Sequence, residues 1–369
     1  MWRSVVALIR KELYAVLRDT RSRMVLVVPP LIQLLVFGYA ATFDLNHVPI
    51  AVFDQDHGQA SRDLVAQFAG SPTFRVGAML DNEARGSALL DARKVQMVLV
   101  IDPRFTRDLY RHRPAPVRIV VDGRNSNTAL LIEGYANTIL SGFALGWNAA
   151  HGGAPPLATL AVETRYNPAL VSRWFIVPGV IALLTQVVVL LVVGLSVARE
   201  REMGTFDQLL VTPLRPVELL LGKGLPGVLI GLVEATVITV AATVWFQIPL
   251  RGEIGALYLG LLLFVIAITG LGLAVSALAA TQQQALLGAF LFMVPSVILS
   301  GFATPIANMP RWVQWLTFVN PMRYVLVIVR GVFLEGSGYA ALMPQYWPMA
   351  LIGLITLIAA AWLFRKRTV

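Results

Sequence analysis

Residues 174–198 read WFIVPGVIALLTQVVVLLVVGLSVA. The run contains no Asp, Glu, Lys or Arg. About 20 such residues in a helix cross roughly 30 Å of hydrocarbon. A charge at the centre of that layer costs several kcal/mol, so spans exclude charge. The stretch is therefore a membrane span, and the rest of the chain is read outward from it. Five comparable runs occur, at 24–43, 224–246, 255–279, 285–302 and 346–364. Pro29 and Pro30 kink the first, which membrane helices tolerate. Only Glu234, in the run 224–246, places a carboxylate well inside a span. It is either satisfied by a neighbouring helix's hydroxyl, or tilted toward the headgroups, or a polar point on a translocation path.

Composition agrees. Of 369 residues, 57% are hydrophobic and 14% charged, against about 25% charged in soluble domains. The net charge of +9 does not signal nucleic acid, because the cations gather beside apolar runs. Arg18, Arg21 and Arg23 precede the first span, and Arg365, Lys366 and Arg367 follow the last. That distribution follows the positive-inside rule and places both termini in the cytoplasm, in line with an even number of spans. Residues 44–172, 247–254 and 303–345 then lie outside, and 199–223 and 281–284 inside. The turn TQQQ (281–284) carries no Lys or Arg of its own. No cysteine is present, which excludes disulfides and thiolate metal sites. His47, His57, His112 and His151 show no metal-ligand spacing.

Residues 1–23 hold an amphipathic helix. Val5, Val6, Ile9, Leu13, Val16 and Leu17 oppose Arg10, Lys11, Glu12 and Arg18, which suits a helix lying on the cytoplasmic membrane surface. Residues 44–172 change character. PIAVF (49–53), QMVLVI (96–101) and VRIVV (117–121) read as buried strands. Residues 59–69, 103–112 (opened by Asp102 and Pro103) and 126–149 read as helices. The alternation predicts an extracytoplasmic α/β domain of about 130 residues, enough for its own core. Asp54, Asp56 and His57, at a strand end, read as a turn. Residues 303–345 are too polar for a span and too apolar for a loop. Two short helices dipping into the interface fit, with Trp312, Trp315 and Tyr324 at headgroup depth.

The segment REREMGTFDQLLVTPLRPVELLLGK (199–223) is more elaborate than a cytoplasmic turn requires. From Thr205 it has the pattern of a capped amphipathic helix stopped at Pro213. An exposed charged helix beneath a membrane suits the docking of a soluble partner. The chain has no P-loop: Leu221-Gly222-Lys223-Gly224 lacks both the hydroxyl residue and the upstream glycine.

The segment 199–223 resembles the cytoplasmic coupling segment of ABC-2-type transporter permeases. LSGFATPIANMPRWVQWLTFVNPMRYVLVIVRGVFLEG (299–336) resembles the outer re-entrant segment of the same family. The domain between the first two spans is similar to that of the bacterial drug-export branch, and VDGRNSNTA (121–129) is a further local match. The resemblance implies an α-helical membrane protein of six spans in the bacterial inner membrane, with a re-entrant segment before the sixth. It implies an exporter half that pairs with a second permease subunit and docks a separate ABC ATP-binding subunit. ATP and Mg would sit on that partner, with no cofactor on this chain. By match, Glu200, Arg201, Gly204, Thr205, Asp207 and Gln208 are the ATPase-coupling residues, and a periplasmic adaptor is a further partner. Two other readings stand beside a drug exporter. One is a lipid-linked glycan exporter, which the long first outer domain disfavours. The other is a non-transporting signalling membrane protein regulated by a partner.

Overall fold

The computed structural model describes residues 2–39, 45, 47–124, 126–152, 171–205 and 216–368. It divides into two compact units, Phe43–Glu163 and a second made of Met1–Thr42 with Thr164–Val369.

In the first unit, short runs of β-branched residues form a four-stranded sheet in the order β2-β1-β3-β4. The strands are β1 (Val48–Asp54), β2 (Phe74–Met79), β3 (Met97–Ile101) and β4 (Val117–Val121). β1 pairs parallel with β2 and β3, and β3 pairs antiparallel with β4. Every residue of β3 is buried, as a central strand covered on both faces requires. Met97, Leu99 and Ile101 face one core with Ile50, Val52, Leu64, Phe68 and Ile132. Val98 and Val100 face the other with Ala51, Leu80 and Val95. The larger core is covered by α3 (Gln59–Gly70), α5 (Phe105–Tyr110) and α6 (Ser126–Ala150), and the smaller by α4 (Glu83–Asp91). Two elements, β2 and α4, have no counterpart in the sequence reading. FRVGAM carries a glycine and an arginine that weaken a strand pattern, and α4 is short and mixed. The predicted helix 103–112 is confined to 105–110. Asp102 instead forms a turn, accepting from the Arg104 amide at 3.0 Å.

The Asp54–His57 corner is a turn, as read. Asp54 Oδ1 accepts from the amides of Asp56 and His57 at 3.0 and 3.2 Å, and Asp54 Oδ2 from the Ser61 hydroxyl at 2.8 Å. The VDGRN stretch also has a structural task. Arg124 grips Asp122 through two hydrogen bonds, Nε to Oδ1 at 2.8 Å and Nη2 to Oδ2 at 2.7 Å. The same guanidinium donates to the carbonyls of Leu90 and Asp91. A cation there complements the C-terminus of α4. These bonds hold the Asp122 carboxyl down at about 2.

The second unit is helical: α1 (Trp2–Arg18), α2 (Thr20–Tyr39), α7 (Ser172–Glu202), α8 (Pro216–Val240), α9 (Ile254–Leu278), α10 (Gln282–Ile298), α11 (Arg311–Leu316), α12 (Pro321–Arg330) and α13 (Tyr339–Thr368). Four described helices are long and apolar enough to cross a membrane: Ser172–Glu202, Val217–Trp245, Ile254–Leu278 and Tyr339–Lys366. Leu26–Tyr39 and Gln282–Ile298 are shorter apolar helices. α7 is the packing centre, flanked by α2, α8, α9, α10 and α12. α9 and α13 lie close enough that a Cβ on Gly270 would stand 2.3 Å from Thr356 Oγ1 and 2.8 Å from the Leu357 amide nitrogen. Small residues at such seams let membrane helices approach. α8 begins earlier than the run 224–246, and α13 earlier than 346–364. Pro344 and Pro348 sit inside α13 without ending it, a tolerance typical of membrane helices.

In 303–345 the chain makes two helical arms, Arg311–Val319 and Pro321–Glu335, bent by 84°. Asn320 caps the second arm, accepting from the Met322 amide at 3.1 Å, and exchanges hydrogen bonds with Ser296 at 2.7 and 2.8 Å. Trp312 and Trp315 are exposed, as interfacial anchors should be. Tyr324 is not one of them. It is buried, and its hydroxyl donates to the Phe318 carbonyl at 2.8 Å across the bend. Its position in an apolar stretch gave no sign of that buried acceptor.

Candidate coupling site

The RERE run at the end of α7 is where the sequence places a docking contact. Glu200, Arg201 and Glu202 instead bond within the bundle. Glu200 is 5% exposed and Lys223, on α8, is 2% exposed. Lys223 Nζ lies 2.7 Å from Glu200 Oε2 and 2.7 Å from Glu12 Oε1 of α1. It also donates to the Ser196 carbonyl at 3.2 Å. Lys11 Nζ reaches the other oxygen of Glu200 at 2.8 Å. Two cations and two carboxylates thus tie α1, α7 and α8 into one knot. Burying an ammonium is tolerable only with such compensation. The expectation of an exposed Glu200 is corrected accordingly: its charge is used inside the molecule.

The neighbouring charges act the same way. Arg201 Nη1 donates to the carbonyls of Ala277 and Ala279 at 2.8 and 3.1 Å. These carbonyls end α9 and lack helical partners of their own, so a cation satisfies them. Glu202 Oε2 accepts from the Gln282 amide at 2.8 Å, at the first turn of α10, where an anion suits the helix N-terminus. Gly204 then ends α7 with φ +68°, the left-handed conformation a glycine adopts without strain. Its amide donates to Arg201 O at 3.1 Å, and the Thr205 amide to Glu200 O at 2.9 Å. Met203 and Gly204 are exposed. Asp207 and Gln208 lie outside the described residues.

α1 is anchored by more than charge. Val5, Leu8 and Val16 are buried, whereas Val6 and Leu17 are exposed. Leu8 occupies the space above Gly222, where a Cβ would stand 2.2 Å from Leu8 Cδ2. The buried stripe faces the bundle, Val6 and Leu17 face outward, and Ile9 and Leu13 lie between. The sequence reading missed Lys11, Glu12 and Lys223 as members of the site. A signal was present: Lys223 interrupts an otherwise apolar stretch, and such a cation needs an anion from elsewhere. Glu234, half-buried on α8, makes no hydrogen bond or ion pair among the described residues. The expected hydroxyl partner is therefore not found there.

Comparison with known proteins gives a consistent result. Residues 22–362 match the family described as ABC-2 family transporter protein. The chain is 36% identical over 369 residues to the probable multidrug ABC transporter permease YbhR of Escherichia coli K12, covering 100% of both chains. It is 31% identical over 373 aligned residues to the probable multidrug ABC transporter permease YbhS of the same organism, covering 99% of this chain and 97% of that one. The inner membrane transport permease YhhJ, also from that organism, is 28% identical over 360 residues, covering 96% and 95%.

Proposed function

The chain belongs to the ABC-2 transporter family, and from that premise we propose that it is the membrane permease of an ATP-driven exporter of drugs or similar amphiphiles. The full-length similarity to permeases named as multidrug transporters supports the substrate class. Six spans follow if Leu26–Tyr39 and Gln282–Ile298 join the four longer helices. The bent pair Arg311–Val319 and Pro321–Glu335 is then the outer re-entrant segment, and the Arg-rich ends face the cytoplasm of a bacterial inner membrane. The unit at 43–163 is extracytoplasmic, where an adaptor would find it. Glu234 is a polar point on the path, reached between two copies of the permease.

The observation that carries the mechanism is the ion knot. A separate ATP-binding subunit docks on the segment following Gly204, with Asp207 and Gln208 among its contacts. Glu200 and Arg201 do not touch the partner in this reading. They transmit its movement, because displacing the end of α7 must drag α1 and α8 through Lys223 and the end of α9 through Arg201. ATP-driven approach of two such segments then biases the pair between inward- and outward-open states.

The test is co-purification with the ATPase in mild detergent, followed by ATP hydrolysis with a panel of amphiphilic drugs. The wild-type complex should show drug-stimulated turnover. Asp207→Lys should lower stimulation by roughly tenfold, since one charged contact is worth about 1.5 kcal/mol, and leave permease melting unchanged. Undiminished stimulation in that variant removes Asp207 from the docking surface.

A further inference from the structure

Arg330 ends α12 beside the outer half of α7, on the orientation proposed above. Its Nε and Nη2 are buried and make no hydrogen bond. No acidic side chain pairs with it among the described residues. Among the described residues, the interaction that compensates the charge is a cation–π contact, with Cζ 3.7 Å from the centre of the Phe175 ring. Such a contact offsets only part of the cost of a desolvated charge. Leaving a charged donor unsatisfied in a buried place adds to that cost. The arrangement is also built to hold the guanidinium where it is. Gly179 faces it, and a Cβ at that position would meet Nη2 at 3.4 Å and the Phe302 ring at 2.8 Å. Only a glycine leaves room for both side chains against α7.

We propose that Arg330 is the headgroup site for an anionic amphiphile, whose carboxylate or phosphate accepts from the open edge of the guanidinium. Arg330 is only partly covered, and its Nη1 is not among the buried atoms, so the guanidinium is reachable along that edge. Phe175, stacked on it, is 41% exposed and offers an aliphatic chain an apolar surface next to the charge. A guanidinium presents its donors as a planar fork that matches both anions in two-point geometry. Phe175 and Phe302 exclude water from the buried edge of that fork, which strengthens its attraction for an anion over that of a surface arginine. The site rests on the membrane-spanning reading but not on export, so it is tested by binding rather than by turnover.

The experiment is native mass spectrometry of the full chain released from micelles containing phosphatidylglycerol, oleate or phosphatidylcholine. The wild-type protein should retain phosphatidylglycerol and oleate over phosphatidylcholine. Arg330→Gln should lose that preference by roughly ten- to a hundredfold, the range for hydrogen bonds to a charged group. Arg330→Lys should keep part of it, and Phe175→Leu should weaken oleate more than phosphatidylglycerol. Retention of phosphatidylglycerol alone assigns the site to lipid, and retention of oleate alone to a carboxylate amphiphile. Equal retention of all three by the wild-type chain overturns the proposal whatever the variants do. So does a loss of dimer in Arg330→Gln with anion preference unchanged, which would give the guanidinium to a second copy. Absence of drug-stimulated hydrolysis would count against export and leave this binding result standing.

Discussion

At the scale of single residues, some charges of this chain flank apolar runs and others are tied up inside. Lys223 belongs to the second kind, and its removal is informative because its two anions stay behind. Lys223→Met should cost roughly 3–5 kcal/mol, the range for breaking a buried ion pair from one side, read by denaturation in mixed micelles. Adding Glu200→Gln and Glu12→Gln should recover most of the loss, since no buried carboxylate is then left uncompensated. A single variant as stable as the wild type would show that the knot holds nothing. For the same reason Glu200→Lys should fail as a protein before it fails as a coupling element. In the sheet domain, Asp122 has its carboxyl lowered from 3.8 to about 2 by the Arg124 hydrogen bonds. A depressed carboxylate stabilises the fold above its free-chain value and ceases to do so as pH falls through its folded value. Asp122→Asn should therefore lower the melting temperature at pH 6 and make no difference near pH 2.

At the scale of elements, periodicity and charge made the long helices legible and left their ends obscure. Nothing in a run of leucines marks where a helix begins, so α8 and α13 extend beyond their apolar windows. The strands at 48–54, 97–101 and 117–121 stood out because burial on one or both faces forces β-branched residues into short runs. β2 did not, because its exposed positions are free to vary. The burial of Glu200 was illegible for a comparable reason. Charge at a membrane border is normally solvated, and only the fold reveals that α1 and α8 bring Lys11, Glu12 and Lys223 to meet it. The seam of α9 and α13 shows a constraint that composition hides. Gly270→Val would press a side chain into the backbone of Leu357, and overpacking of this kind costs about 1–3 kcal/mol. The variant should unfold at lower denaturant in micelles, and unchanged unfolding would mean the two helices part easily.

At the scale of the whole molecule, two separate cores imply two separate cooperative transitions. Leu99→Ala empties part of the sheet domain, at a cost of roughly 2–5 kcal/mol. In the full chain it should shift the melting of residues 43–163 alone, as read by exchange of their amides, and leave the helical unit unmoved. A shift in both would mean that the units unfold together. The helical unit also bears on how such a chain finds its orientation. The predicted turn 281–284 is in fact the link 279–281 followed by the first turn of α10; on the orientation proposed above that link faces the cytoplasm, and it carries no basic residue of its own to hold it there. Arg201, at the end of α7 and some eighty residues earlier in the chain, donates to the carbonyls of Ala277 and Ala279 at that link. If that orientation holds, the electrical address of one loop is written in another, and is readable only once α7 and α9 have paired; topogenic charge would then be tallied in space rather than in sequence.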